Sequence, residues 1–184
     1  MNEEVIEYID VLDKNGNKTG EVRSKADIHK EGLWHQTVHI WLLNSKGEIL
    51  LQRRAKNKVD FPDVWDISVG GHIPSGEEPI DAAVREVKEE IGLDISPESL
   101  KFIGRVTQEH IQNNGMYLNN EFVNIYLLIK TDIDDINKLQ LQKEEVQELR
   151  WIPMQELKQW VDQNRPDLYP HENEYKLIFE KLLR

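Results

Sequence analysis

Residues 71–93 read GHIPSGEEPIDAAVREVKEEIGL, and this stretch contains the clearest helix pattern in the 184-residue chain. Pro79 lies near the predicted first turn and Gly92 just past the predicted end, where proline and glycine are favoured. Apolar residues recur at helical spacing and form one stripe, which comprises Ile80, Ala83, Val84, Val87 and Ile91. This periodicity predicts an amphipathic helix that buries one face.

Three glutamates lie on one flank of this helix, outside the apolar stripe: Glu86, Glu89 and Glu90. Like charges three or four residues apart cost an isolated helix about 0.2–0.5 kcal/mol per pair, of which Arg85 offsets a part. A dense group of carboxylate oxygens suits a hard cation such as Mg²⁺ or Mn²⁺. Taken alone, the pattern is more typical of a solvent-exposed acidic face.

The same stretch carries a longer pattern at fixed spacing, formed by Gly71, Glu77, Arg85, Glu86, Val87, Glu89, Glu90, Gly92 and Leu93. It resembles the signature of the Nudix hydrolase family, with every signature position matched. The resemblance implies an α/β/α sandwich, an α+β fold with a mixed β-sheet between helices. It also implies an enzyme that hydrolyses a small organic diphosphate, such as a nucleoside diphosphate linked to another moiety, with Mg²⁺ or Mn²⁺ as cofactor.

The resemblance also assigns roles within the signature. Its implied metal ligands are the Gly71 carbonyl and the side chains of Glu86, Glu89 and Glu90, whereas Glu77 and Arg85 would be structural. The catalytic base varies among family members, and the candidates here are Glu89, Glu90, Glu121 and Glu145. For Glu145, which lies in the charge run KEEVQE, a solvent-exposed position is the stronger expectation.

Residues 34–72 narrow the resemblance to the branch similar to type I isopentenyl-diphosphate isomerase. That branch implies a metal site built partly of histidines: His35 and His72 match two of the ligands, and His29 lies near the third. Glu121 matches one of two acidic residues, but the other position is Asn119. A second, histidine-containing metal site is therefore an alternative that the sequence leaves open.

The position of the isomerase's catalytic cysteine is Gly70, and the chain contains no cysteine at all. We therefore expect diphosphate hydrolysis rather than isomerisation. The third alternative is a non-catalytic diphosphate-binding module, which the intact glutamate trio disfavours.

Three basic residues follow an apolar strand pattern and are candidates for binding substrate phosphate: Arg53, Arg54 and Lys58. Strand alternation places Arg53 and Arg54 on opposite faces, so at most one should enter a site. A surface cluster is the competing interpretation. His39 shares a strand face with His35 and is expected simply to pack, whereas His110 and His171 show no partner pattern.

Composition excludes several classes of protein. The chain has 23 basic and 34 acidic residues and a formal net charge of −11, which disfavours binding to nucleic acid polymers and anionic membranes. The absence of cysteine excludes disulfides, cysteine-ligated zinc and a thiol nucleophile. The first residues lack the pattern of a signal peptide, so we expect a cytoplasmic protein with a small-molecule partner. Whether it forms a homodimer is left open.

We expect one Nudix-like domain over residues 1–184, with residues 1–23 as an N-terminal hairpin extension. Asn15-Gly16 predicts the hairpin turn, and Ser24 and Gly32 bound a short helix. Residues 34–54 predict a second hairpin, and 56–68 a loop. Further strands are predicted at 68–72, 101–110, 120–130 and 148–153, and helices at 154–163 and 172–183.

Overall fold

A computed structural model describes residues 6–130, 132–133 and 135–183. Its nine strands are β1 (Tyr8–Leu12), β2 (Lys18–Ser24), β3 (Trp34–Leu43), β4 (Glu48–Arg54), β5 (Trp65–Asp66), β6 (Val69–His72), β7 (Leu100–Gln112), β8 (Tyr117–Ile129) and β9 (Val146–Pro153). The helices are α1 (Lys25–Glu31), α2 (Pro79–Ile91), α3 (Met154–Asp162) and α4 (Glu172–Leu182). Within these described residues, no helix combines the length and apolar character needed to cross a bilayer.

Strand β3 is the centre of a mixed sheet. It pairs in parallel with β8 along its whole length and antiparallel with β6. Because successive side chains of a strand point to opposite faces, Val38, Ile40 and Leu42 pack in the layer of α2, whereas Trp41 packs in the layer of α3 and α4. The sheet lies between two helical layers, so the predicted α/β/α sandwich is confirmed.

Helix α2 begins and ends where the sequence predicts. Pro79 is its first residue, and Gly92 ends it with φ +71°, a left-handed conformation that glycine adopts without strain. Ala82, Ala83 and Val87 are buried against the sheet. The two alanines lack bulk on this face, which favours close approach of the helix to β6, the strand that precedes it.

The N-terminal hairpin and the helix that follows it also form as predicted. Strands β1 and β2 pair antiparallel around the Asn15-Gly16 turn, and the Ser24 hydroxyl accepts a hydrogen bond from the Asp27 backbone N–H as the N-cap of α1. Ile9 and Val11 of β1 pack against α1 in a small apolar cluster of their own. Residues 1–5 of the predicted extension lie outside the described residues.

The strands differ from the prediction at three places. Strands β3 and β4 are joined by a tight turn but pair only at Leu43 and Ile49, because β4 then leaves β3 and pairs with β9. The predicted loop at 56–68 contains the short strand β5. The loop between β7 and β8 is shorter than predicted, since both strands continue to a turn at residues 113–116. Alternation of apolar residues marks a strand but does not name its partner.

Candidate active site

A polar cavity of about 420 Å³ opens beside the glutamates of α2. Strands β3, β6 and β8 form its floor and sides, and the segment that leads into α4 closes its far wall. Nearly all of the side chains around it are charged or polar, and they come from positions as distant as Lys25 and His171. A cavity of this size and chemistry suits a small anionic ligand with bound cations.

Helix α2 contributes the carboxylate cluster, which we define as Glu86, Glu89 and Glu90. Glu86 and Glu90 are buried, whereas the Glu89 side chain is about half exposed at 49%. A Cβ at Gly71 would overlap the Glu86 carboxylate, so only glycine lets this group reach the β6 backbone. The predicted metal ligands are therefore brought together around one wall of the cavity.

The two buried carboxyl groups are poorly stabilised as anions. Burial raises the pKa of Glu86 to about 7, although Arg85 beside it acts in the opposite direction. Burial, together with the nearby charges of Glu86 and Glu145, raises the pKa of Glu90 well above its ordinary value. A bound cation would reverse both effects, because it favours the ionised carboxylates.

Arg85 holds the carboxylate cluster in place. Its guanidinium donates to Glu77, to Glu86 at 2.7 Å, to Glu89 at 3.1 Å and to the His72 carbonyl. All three of its nitrogens are therefore engaged within the protein. These hydrogen bonds agree with the structural role expected for Glu77 and Arg85.

Three histidines form a second group of possible metal ligands. His29, His35 and His72, the histidine cluster, each offer a ring nitrogen, and these nitrogens lie within 4.8 Å of one another. His35 donates through Nδ1 to the Leu33 carbonyl at 3.0 Å, which leaves its Nε2 buried, without a hydrogen-bond partner, and 3.7 Å from a Glu121 oxygen. Three imidazoles and one carboxylate match the preferences of a transition metal or zinc.

The charge states in the histidine cluster also fit metal binding. Burial and the charge of His35 lower the pKa of His29 to about 4. Burial lowers the pKa of His72 well below its ordinary value, so both rings are neutral near pH 7. Against the cost of burial, His35 holds the pKa of Glu121 at about 2, so this residue is a carboxylate. Neutral imidazole and ionised carboxylate are the forms that bind metals.

The three predicted phosphate-binding residues are placed very differently. Arg53 donates to Asp63 and is not part of the cavity wall, whereas Arg54 and Lys58 are. The Arg54 guanidinium donates to Asp66 at 3.0 Å, to Asp60 at 2.8 Å and to the Phe61 carbonyl, so all of its nitrogens have protein partners. Lys58 is ion-paired with Glu145, which also lines the cavity.

A buried network at the far wall of the cavity was not predicted from the sequence. We define the buried network as Arg54, Asp66, His171, Glu174 and His39. His171 lies 2.6 Å from Asp66, and Glu174 accepts hydrogen bonds from His39 Nδ1 and from Trp41, each at 2.7 Å. Glu174, on α4, is fully buried although it is an acidic residue. A glutamate in the polar run ENEYK gives no sequence signal for burial.

Comparison with known proteins places this site in a family. The family model described as "NUDIX domain" matches residues 33–172. "Nudix hydrolase 3" of Arabidopsis thaliana is 33% identical over 177 residues, which are 95% of this chain. The chain spans only 23% of the length of that plant relative.

Two further comparisons concern the isomerase branch and the fold. An "Isopentenyl-diphosphate Delta-isomerase" of Escherichia coli is 30% identical and aligns with 85% of this chain and 82% of its own length. The crystal structure of DR0079 from Deinococcus radiodurans superposes with a TM-score of 0.68 at 21% identity, covering 97% of this chain and all of the other, and so supports the fold alone. The signature, the fold and the family match agree, and the chain belongs to the Nudix hydrolase family.

Proposed function

We propose that this chain hydrolyses a small organic diphosphate in a reaction that depends on Mg²⁺ or Mn²⁺. The observation that carries the proposal is the carboxylate cluster, in which two buried glutamates with raised pKa values face one cavity. Burying like charges together is unfavourable unless a cation joins them. The proposed metal ligands are Gly71, Glu86, Glu89 and Glu90.

In this proposal the chain's own residues orient the ligands and accept a proton. Bound metal would neutralise diphosphate oxygens and acidify a water molecule. Glu89 and Glu90 are the proposed proton acceptors, since both reach the cavity. Glu121 was a third candidate, but a carboxylate with a pKa of about 2 is a weak base near neutral pH. We therefore propose it as a ligand of the histidine cluster.

Product analysis tests the proposed activity. We would incubate the protein and Mg²⁺ with nucleoside di- and triphosphates, dinucleotide polyphosphates, sugar nucleotides and isopentenyl diphosphate. We expect phosphate or nucleotide release from one class, and none when the metal is chelated. Conversion of isopentenyl diphosphate to its isomer without hydrolysis would instead support the isomerase alternative and contradict the proposal.

Mg²⁺ binding is expected to strengthen as pH rises from 6 to 8. Glu86 has a raised pKa of about 7, so it holds a proton at pH 6 that Mg²⁺ must displace. Without metal, the raised pKa of Glu86 has a second effect. Ionising this buried carboxyl as pH rises lowers the free energy of unfolding. Thermal unfolding measured across this range should therefore show a larger Mg²⁺-induced rise in Tm at pH 8.

The control for this prediction is Glu86→Gln, which cannot ionise at that position. Its metal-free Tm should change less with pH than that of the parent protein, and its response to Mg²⁺ should be weak at every pH. A parent protein whose Mg²⁺ response is independent of pH would contradict the assignment of Glu86 as a metal ligand.

We further propose that the histidine cluster binds a second metal, with His29, His35, His72 and Glu121 as ligands. The unpartnered Nε2 of His35 supports this, since a buried polar atom without a partner is costly. We expect the parent protein to bind Mn²⁺ or Zn²⁺ at a site that His35→Gln removes. Calorimetric titration should then show one fewer tight site in the variant, and an equal number would contradict the assignment.

A further inference from the structure

Of the predicted phosphate-binding arginines, Arg53 lies outside the cavity wall, whereas Arg54 is fully engaged within the protein, as is Arg85, the other arginine of the wall. Lys25 and Lys58 are paired with Glu7 and Glu145. A diphosphate that binds beside the carboxylate cluster still needs fixed hydrogen-bond donors for its own oxygens. Donors that the protein leaves without partners lie on the cavity floor instead.

Strand β3 provides two such donors on one face. Thr37 and His39 are two residues apart, so their side chains point to the same side of the sheet, and both line the cavity. The Thr37 hydroxyl is buried and has no hydrogen-bond partner. His39 is also buried, and only its Nδ1 has a hydrogen bond among the described residues.

Glu174 determines how the His39 ring is presented. Because Nδ1 donates to the Glu174 carboxylate at 2.7 Å, the ring orientation is fixed and Nε2 is left for another partner. Burial acts to lower the pKa of His39, but Glu174 outweighs it and the pKa is raised. The raised pKa favours the protonated ring, in which Nε2 also carries an N–H, and Trp41 holds the second oxygen of Glu174 in place.

Gly70 brings this ring close to the carboxylate cluster. A Cβ at Gly70 would lie 3.1 Å from His39 Cδ2, the ring atom next to Nε2, so glycine admits the ring edge. The backbone N–H of Gly70 also lies near Glu90, whose pKa it acts to lower. His39 and Glu90 thus lie near the same glycine, and both line the one cavity.

We propose that His39 is a substrate-contacting residue that donates from Nε2 to a diphosphate oxygen, with Thr37 as a second donor and Glu174 as its positioning residue. This inference rests on the proposed diphosphate activity. It assigns to the floor strand the phosphate-binding role for which the arginines of β4 were candidates. The protonated imidazole would bind an anionic oxygen and offset negative charge.

The test uses inorganic pyrophosphate with Mg²⁺ as the probe and observes the six histidines of the parent protein by ¹⁵N NMR. We expect the Nε2 resonance of His39 to shift on titration while those of His110, which lies outside the cavity wall, stay unchanged. His39→Gln should weaken pyrophosphate binding about 10- to 100-fold, the range for a charged hydrogen bond. Glu174→Gln should weaken it less, and the control His110→Gln not at all.

Kinetics separate substrate contact from a structural role. With any substrate that the parent protein hydrolyses, His39→Gln should raise KM more than it lowers kcat, measured at a temperature at which both proteins remain folded. Pyrophosphate binding without a shift of the His39 resonance would overturn the inference and leave the proposed function intact. A parent protein that binds no pyrophosphate with Mg²⁺ would overturn both.

Discussion

Replacing Glu90 with glutamine is expected to lower the rate of diphosphate hydrolysis by about 10²–10³-fold, while the metal-free protein becomes no less stable. The loss of rate follows because the amide cannot supply the charge that binds a cation or accepts a proton. Stability is kept because Glu90 is fully buried and has a strongly raised pKa, so the fold already favours its neutral form. Gln52, which donates to Glu90 at 3.2 Å, can pair with the new amide.

Activity assays and thermal unfolding of the same samples check this prediction. Glu144→Gln is the matched control, since Glu144 is an exposed glutamate outside the cavity wall. The parent protein and the control should gain Tm when Mg²⁺ is added, and Glu90→Gln should gain little. A variant that keeps its activity, or loses it only because it unfolds, would contradict the role of Glu90.

Replacing Arg54 with methionine is expected to lower the free energy of unfolding by about 3–5 kcal/mol, as when one partner of a buried ion pair is removed. Arg54 holds both Asp60 and Asp66, and the variant would leave these two carboxylates without their cation. The sequence suggested a phosphate-binding role for the same residue. That role predicts a raised KM with unchanged stability, so the two interpretations give opposite results.

Arg53→Met is the control, because the adjacent residue has the same chemistry on the other face of β4. Its ion pair with Asp63 is partly exposed, and such pairs contribute about 0–1 kcal/mol. Denaturant unfolding of the two variants therefore separates a buried structural arginine from a surface one. Equal stabilities with a higher KM for Arg54→Met would favour direct phosphate binding.

The fold was predictable to the extent that its signals are local. Helix α2 begins at a proline and ends before a glycine, and its apolar stripe has helical period, so its bounds followed from sequence. The partners of β4 did not, because the pattern EILLQRR is equally compatible with β3 and with β9. Pairing between distant strands depends on the layers above and below them.

The candidate site, like the fold, was predictable only in part. The signature placed the carboxylate cluster and the resemblance placed His35 and His72. The structure brings the members of each set together, and the carboxylate cluster and His72 line the cavity. The sequence could not show that Arg54 is fully hydrogen-bonded within the protein, because its partners Asp60 and Asp66 lie in a segment that resembles a loop. Nor could the sequence show that Glu174 is buried, since burial of a charged residue depends on partners that are distant in the chain.

The pairing of His39 with Glu174 has a consequence for the order in which parts of the newly made protein fold. These residues are separated by 135 positions, and Trp41 shares the same distant partner. While the ribosome synthesises the chain, the central strand is therefore complete long before the carboxylate that anchors its buried imidazole has been translated. Contacts of such large sequence separation form slowly, so the floor of the cavity is expected to be among the last regions to acquire its final arrangement in the newly made protein.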